Sequence, residues 1–260
     1  YLGGDWYIDQ MKKQAYEGRP LPIGLLPTSY YYYNPYAYLA PQAKGSQTIP
    51  QLLGSLAGAP RYSPARLDVS SLTLPVDSAA VARRFASEYP DLVQHITPQM
   101  ELSLAGKGYL DIGNLTIFDL LEGNKWERPI YWAVTSPRNA FAGMDQHMVQ
   151  TGLTYQLLPL RAAADSMGRA LSYGIGNLDR MYETVMTKFR WGGADKPGTY
   201  FDENARGIVS TLRNQIFSPL ADGFIARGDK AKAQEVLRKC LSVIREDNVP
   251  YETNSVYFAR

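Results

Sequence analysis

The sequence predicts an α/β (α+β) amino-terminal part with a mixed or parallel sheet, followed by an α-helical carboxy-terminal part. Three observations carry this reading. Leu110–Val134 reads as a helix, a short turn and an apolar strand. The segments Leu67–Leu74 and Met100–Leu104 alternate apolar and polar residues, as half-buried strands do. From Arg161 onward the apolar residues recur instead at spacings of three and four, the period of a helix. The expected division is residues 1–160 for the α/β part, with a Tyr/Pro/Gly-rich insertion at 18–66, and 161–260 for the helical part.

Within the central stretch, Asn114 can cap a helix by accepting from first-turn amides. Leu115, Phe118 and Leu121 then form its apolar face, with Ile117 and Leu120 alongside. Gly123 and Asn124 suit the left-handed residue that ends a helix. Arg128-Pro129 forces extended backbone. The run Ile130–Val134 suits a strand covered on both faces, with Trp126 packed over the turn.

The flanking segments follow the same logic. Asp5 can cap a helix to about Glu17, with Ile8, Met11 and Ala15 on one face. Leu67, Val69, Leu72 and Leu74 suggest one strand with a bulge at Ser70-Ser71. Asp77 caps a helix containing Val81 and Phe85 that stops at Tyr89-Pro90. Leu153, Tyr155, Leu157 and Leu158 suggest a further strand. Asn177, Asp202 and Asp229 can each cap a helix. The inward faces expected are Leu178, Met181, Tyr182, Val185 and Phe189 for the first, and Ile208, Val209, Leu212 and Ile216 for the second. For the third they are Ala233, Val236, Leu237, Cys240, Leu241 and Ile244. Pro219 cannot donate to the carbonyl of Gln215, so a kink or break is expected within two residues of Ser218.

The insertion at 18–66 has no sustained period. Tyr30, Tyr31, Tyr32, Tyr33, Tyr36 and Tyr38 crowd into it. The first reading is a loop pinned to the body by its own aromatics. The second is a binding surface, because tyrosine offers an apolar face and a polar tip to a sugar ring or a peptide.

Composition narrows the function classes. Hydrophobic residues make up 45% of the chain, enough for a substantial core. Net charge is +2 with acids and bases intermixed, so nucleic acid is not an expected partner. No run is long enough to span a bilayer. One cysteine, Cys240, excludes an internal disulfide framework. Tyr1–Gly4 reads as the end of a strand that would lie upstream, so a longer parent chain is expected.

Two resemblances follow from particular residues. Phe217, Leu220, Ala221 and Phe224, then Gly228, then Ala233, Leu237 and Cys240, resemble one tetratricopeptide repeat. Cys240 replaces the usual alanine, and Pro250 lies further on than the pattern places it. Tyr251–Arg260 would begin another repeat. The larger resemblance rests on Asp5–Lys12 (DWYIDQMK), Trp126–Tyr131 (WERPIY), Gly152–Leu157 (GLTYQL) and Lys188–Gly192 (KFRWG). These resemble a bacterial family of large polytopic membrane proteins, long labelled a domain of unknown function and similar to protein O-mannosyltransferases.

The resemblance implies a parent with several apolar spans before Tyr1 and a carboxy-terminal region, this chain, on the extracytoplasmic (periplasmic) side. The implied partners are the membrane domain of the same parent chain and an acceptor polypeptide or glycan. The catalytic acid is expected in the membrane domain, so no catalytic residue carries over to this chain, and no cofactor or metal is expected.

A direct search for chemistry yields a few further candidates. Asp111 and Arg128, with Asp119 and Glu122, could line a cleft at the end of the central strand, where open α/β sheets bind ligands. Helix capping and ion pairing compete with that reading and rank first. Asp145-Gln146-His147 could offer two metal ligands but reads first as a solvated loop. Asp77-Ser78-Ala79 and Asp165-Ser166-Met167 resemble a periplasmic O-glycosylation acceptor motif. The leading expectation is the soluble extracytoplasmic region of a membrane-bound protein O-glycosyltransferase-like protein. The alternatives are a helical-repeat scaffold and a free-standing α/β enzyme with a site near Asp111 and Arg128.

Overall fold

The computed structural model describes residues 5–13, 18–27, 30, 33–60, 62–161, 163–164, 170–171 and 174–251. Its elements are short, and long-range pairing holds them. They are α1 (Asp5–Lys12), β1 (Tyr36–Leu39), β2 (Ser46–Thr48), α2 (Ile49–Ala57), β3 (Arg66–Leu67), β4 (Ser71–Pro75) and α3 (Ser78–Phe85). Next come β5 (Gln99–Ser103), β6 (Tyr109–Asp111), α4 (Ile112–Asn124), β7 (Tyr131–Ala133), β8 (Met148–Thr151) and β9 (Thr154–Leu157). A two-residue ladder of Ala163–Ala164 with Ala170–Leu171 and the helices α5 (Leu178–Glu183), α6 (Glu203–Leu212), α7 (Ser218–Arg227) and α8 (Lys230–Val243) follow. This is a mixed α/β protein with small mixed sheets and a helical carboxy-terminal part.

Two compact units result. One comprises Tyr1–Ile130, Pro137–His147 and Leu157–Ser172, and the other Tyr131–Ser136, Met148–Gln156 and Tyr173–Arg260. The first contains two three-stranded sheets, ordered β3-β1-β6 and β2-β4-β5. In each, one pairing is parallel (β1 with β3, β2 with β4) and the other antiparallel. The expected single strand from Leu67 to Leu74 is therefore two strands of different sheets: Leu67 pairs with Leu39, and Leu72 pairs with Leu102. The residues between them, read as a bulge, carry the chain from one sheet to the other. Strand β5 shows the expected alternation, with Met100 and Leu102 buried.

Helix α4 departs from the sequence reading at both ends. Its N-cap is Asp111, not Asn114: the Asp111 carboxylate accepts from the Asn114 amide at 2.8 Å, and the Asn114 side chain returns a bond to the Asp111 amide. Both residues are good caps, and the reciprocal capping box favours the earlier one. At the other end, Gly123 and Asn124 remain helical. The left-handed residues are Lys125 (φ 43°) and Trp126 (φ 62°), each costing about 1 kcal/mol as a non-glycine. Several bonds hold the turn. The Glu127 amide donates to Asn124 O at 2.7 Å, Arg84 Nη1 donates to Trp126 O at 2.9 Å, and the Asn124 side chain clamps both backbone groups of Arg128.

Gly123 is needed for a different reason. A Cβ there would lie 2.0 Å from the carbonyl oxygen of Pro22. Beside it, the fully buried carboxylate of Asp119 accepts from the amides of Gly24, Leu25 and Leu26 at 2.9, 3.0 and 3.0 Å. Lys12 Nζ donates to Leu26 O at 2.8 Å. Burial lowers the Lys12 ammonium below its ordinary value, against the pull of Asp119 and Asp9.

The strand expected over Ile130–Val134, covered on both faces, is corrected. β7 is exposed at Tyr131 and Ala133 and buried at Trp132, and it pairs antiparallel with β9. It belongs to the second unit and α4 to the first, so the two are not halves of one α/β unit. The second unit's core gathers Met181, Val185, Ile216, Phe217, Phe224, Ala233, Val236 and Cys240. Ile208 and Leu241, expected to face inward, are exposed. Their helices bury a narrower stripe than the sequence offers.

In place of the expected break near Ser218, the chain stays helical from Glu203 to Arg227 and widens into a π-helical turn at Arg213–Phe217 that runs directly into α7. Pro219 has no amide to give Gln215, and the buried side-chain amide of Gln150 donates to the Gln215 carbonyl instead. Arg213, fully buried, donates to the carbonyls of Ile244, Val249 and Pro250 and so fixes the chain after α8.

Two substitutions test the attachment of the irregular segment to α4. Asp119→Ala leaves three amides without their acceptor and is expected to cost about 3 kcal/mol in urea unfolding. Hydrogen exchange at Gly24–Leu26 should accelerate before global unfolding, and a loss under about 0.5 kcal/mol with protected amides would refute it. Gly123→Ala should destabilise the protein, although alanine in a helix interior ordinarily gains about 1 kcal/mol over glycine. A rise in Tm would show that Pro22 yields.

Candidate functional site

The sequence candidates do not gather into one site. Tyr30 is buried, with its hydroxyl pushed up to about 12 by burial, and so belongs to the packing of the loop. Tyr31 and Tyr32 lie outside the described residues. Tyr33 meets the exposed Tyr62 ring edge-on at 5.0 Å.

Tyr36 and Tyr38 both lie on β1. Strand β1 has period two, so Ala37 and Leu39 point inward while Tyr36 and Tyr38 point out, 43% and 45% exposed. On β6, Tyr109 stands directly opposite Tyr38 and is 50% exposed. Its ring meets Tyr36 edge-on at 5.2 Å, and Tyr36 and Tyr38 lie 6.3 Å apart. Across the other edge of β1, Tyr38 is in register with Arg66 of β3, while on the β6 side Tyr36 is in register with Asp111. Directly paired residues share a sheet face. The outer face of this sheet therefore carries three half-exposed tyrosine rings, with Arg66 in register on β3 and Asp111, whose carboxylate caps α4, in register on β6. Tyr109 is absent from the sequence candidates. It lies outside the tyrosine run, and only the pairing register brings it in.

Asp111 and Arg128, paired in the sequence reading, are not brought together. They lie at opposite ends of α4, whose 13 residues span about 20 Å. Asp111 caps the helix. Arg128 donates to the carbonyls of Arg19 and Pro20 at 3.4 and 2.9 Å, and thus holds the irregular segment.

The remaining titratable candidates are structural as well. Asp77 caps α3 by accepting from the Ala80 amide at 2.9 Å, and Asp165–Met167 lie outside the described residues. Burial pushes the Cys240 thiol up to about 12, which suits a core residue. Among the described residues, no three His, Cys, Asp or Glu side chains cluster as metal ligands.

His147, expected in a solvated loop, is buried. Nδ1 lies 2.7 Å from Leu160 O and Nε2 2.9 Å from Glu101 O. A neutral imidazole can donate to only one of them. Burial holds the ring below its ordinary value of 6.5, opposed by those two carbonyls and by the Glu101 charge. The unfolded chain therefore binds a proton near pH 6.5 that the folded chain resists. Stability from this residue is complete above that pH and declines as pH falls below it. Tm should fall between pH 7.5 and about 5.5, and His147→Gln, though less stable, should show a flatter slope there. An equal slope in both proteins would remove His147 as the cause.

No curated protein and no solved structure matches the chain. Among the described residues, no helix is long and apolar enough to cross a membrane. Residues 1–174, which include the tyrosine face and all of α4, match the family described as TMEM260-associated domain 2. The family's name links it to a transmembrane protein, and hence to membrane association. The match covers more than half of the 260 residues, and the chain belongs to the TMEM260-associated domain 2 family.

Proposed function

We propose that this chain is the extracytoplasmic, non-spanning region of a membrane-associated protein O-glycosyltransferase-like protein, and that it grips acceptor polypeptide for a catalytic centre elsewhere in the parent. The observation that carries this reading is the outer sheet face of Tyr36, Tyr38 and Tyr109. Half-exposed tyrosines supply apolar area with little rotamer entropy to lose, and their hydroxyls bond to peptide groups. Arg66, in register with Tyr38 on the neighbouring strand, adds a cationic group that can donate to peptide carbonyls.

Two further features agree with it. The family is associated with a transmembrane protein. The α7–α8 hairpin, with Gly228 left-handed at the turn and Phe217, Phe224, Ala233 and Cys240 buried, suits a tetratricopeptide-like unit that packs against parts of the parent. Catalysis is assigned outside this chain because the resemblance puts the catalytic acid in the membrane domain, and several carboxylates here already cap helices, pair with cations or hold backbone. Asp119, Asp111, Asp77 and Asp179 are examples.

The test is a titration of the 260-residue protein with extended acceptor peptides, beside the triple variant Tyr36→Ser, Tyr38→Ser, Tyr109→Ser. Binding should weaken at least about tenfold, the equivalent of 1.4 kcal/mol, while the melting curve stays cooperative. Unchanged affinity in a folded variant removes this face from peptide binding. Sugar transfer from a lipid-linked donor by the 260 residues alone overturns the placement of catalysis in the membrane domain.

A further inference from the structure

The first unit holds a cleft of about 470 Å³ that is separate from the tyrosine face, within the size range of small-molecule sites, roughly 300–1,000 Å³. Its apolar lining comes from Leu74 at the end of β4, Val81 of α3 and Leu121 of α4, together with Trp126. Its charged lining is mixed: Arg84 and Lys125 against Asp77, Glu122 and Glu127. Lys125 and Trp126 present themselves through two successive left-handed residues, and Arg84 fixes the Trp126 carbonyl at 2.9 Å. Non-glycine residues held in that region point to a purpose beyond turning the chain, since a glycine would turn it without strain.

The lining chemistry selects the ligand. A phosphate or carboxylate would meet three acidic side chains. A purely apolar molecule would strip water from five charged groups with no hydrogen bonds in return. A pyranose satisfies both parts of the lining. Its C–H face packs on an indole, and each hydroxyl both donates to a carboxylate and accepts from a guanidinium or ammonium.

We propose that this cleft binds a neutral hexopyranose unit, with Trp126 as its stacking surface and Glu122, Glu127 and Arg84 as its hydroxyl partners. The inference rests on residues distinct from the tyrosine face, so either can fail without the other.

The test uses the 260-residue protein and methyl glycosides of glucose, mannose and galactose, followed by ligand-observed NMR and by titration. At least one glycoside should bind with Kd on the order of 1 mM. Trp126→Ala should weaken it at least about tenfold. Glu122→Gln, which leaves the turn and Trp126 in place, should weaken it several-fold and serves where Trp126→Ala does not fold. The tyrosine-face triple variant should bind the glycoside as the parent does. The proposal is overturned by absence of binding by all three glycosides, by equal affinity in a folded Trp126→Ala or in Glu122→Gln, or by a cleft that takes inorganic phosphate or a proline-rich peptide in preference to the sugars.

Discussion

The first unit depends on one buried carboxylate. Asp119 projects from the middle of α4, and its two oxygens take the three successive amides of Gly24, Leu25 and Leu26. A segment without periodic structure has backbone donors that no ladder or helix satisfies, and burying them unpaired costs more than most side-chain contacts return. Asp119 meets that demand with charge-assisted bonds. The neighbouring contacts follow from it. Gly123, one turn along α4, lets the Pro22 carbonyl approach, and Arg128 beyond the helix end takes the carbonyls of Arg19 and Pro20. Acceptors on one helix and donors just past it thus match the two polarities of a single irregular strap.

The second unit meets the same constraint with neutral and cationic groups. Pro219 leaves the Gln215 carbonyl without its helical donor, and the buried Gln150 amide supplies one. Arg213, on the same π-turn, satisfies three carbonyls of the chain after α8 and stacks on Tyr251 at 4.3 Å. Proline and arginine both look out of place inside a helical core. Each is explained by the backbone groups around it.

The surfaces proposed for binding lie where these rigid parts leave side chains exposed. Tyr36, Tyr38 and Tyr109 are held by strand pairing, so their rings are arranged before any ligand arrives. Little ordering entropy then opposes association, which favours a sheet face over a mobile loop as a grip. Lys125 and Trp126 are likewise fixed, by a turn whose strain is offset by bonds from Asn124 and Arg84.

Sequence alone determined what local chemistry determines. The helix starts at Asp77, Asn177, Asp202 and Asp229 were legible because a cap is a contact between residues three apart. The alternation of β5 was legible for the same local reason. Even locally, Asp111 and Asn114 competed for one cap, and the capping box that uses both settled the start of α4. Which strands pair was not legible. Leu67 and Leu72 sit in one apparent strand, yet their partners are 28 residues before and 30 after, Leu39 and Leu102. For the same reason the tyrosine run named Tyr36 and Tyr38 but not Tyr109, whose place beside them exists only through register. The roles of Asp119, Gly123, Arg128 and His147 are also tertiary. Each answers an unpaired carbonyl or amide, or a close backbone approach, 13 or more residues away, and nothing in the identity of an aspartate or an arginine says which distant backbone it will satisfy.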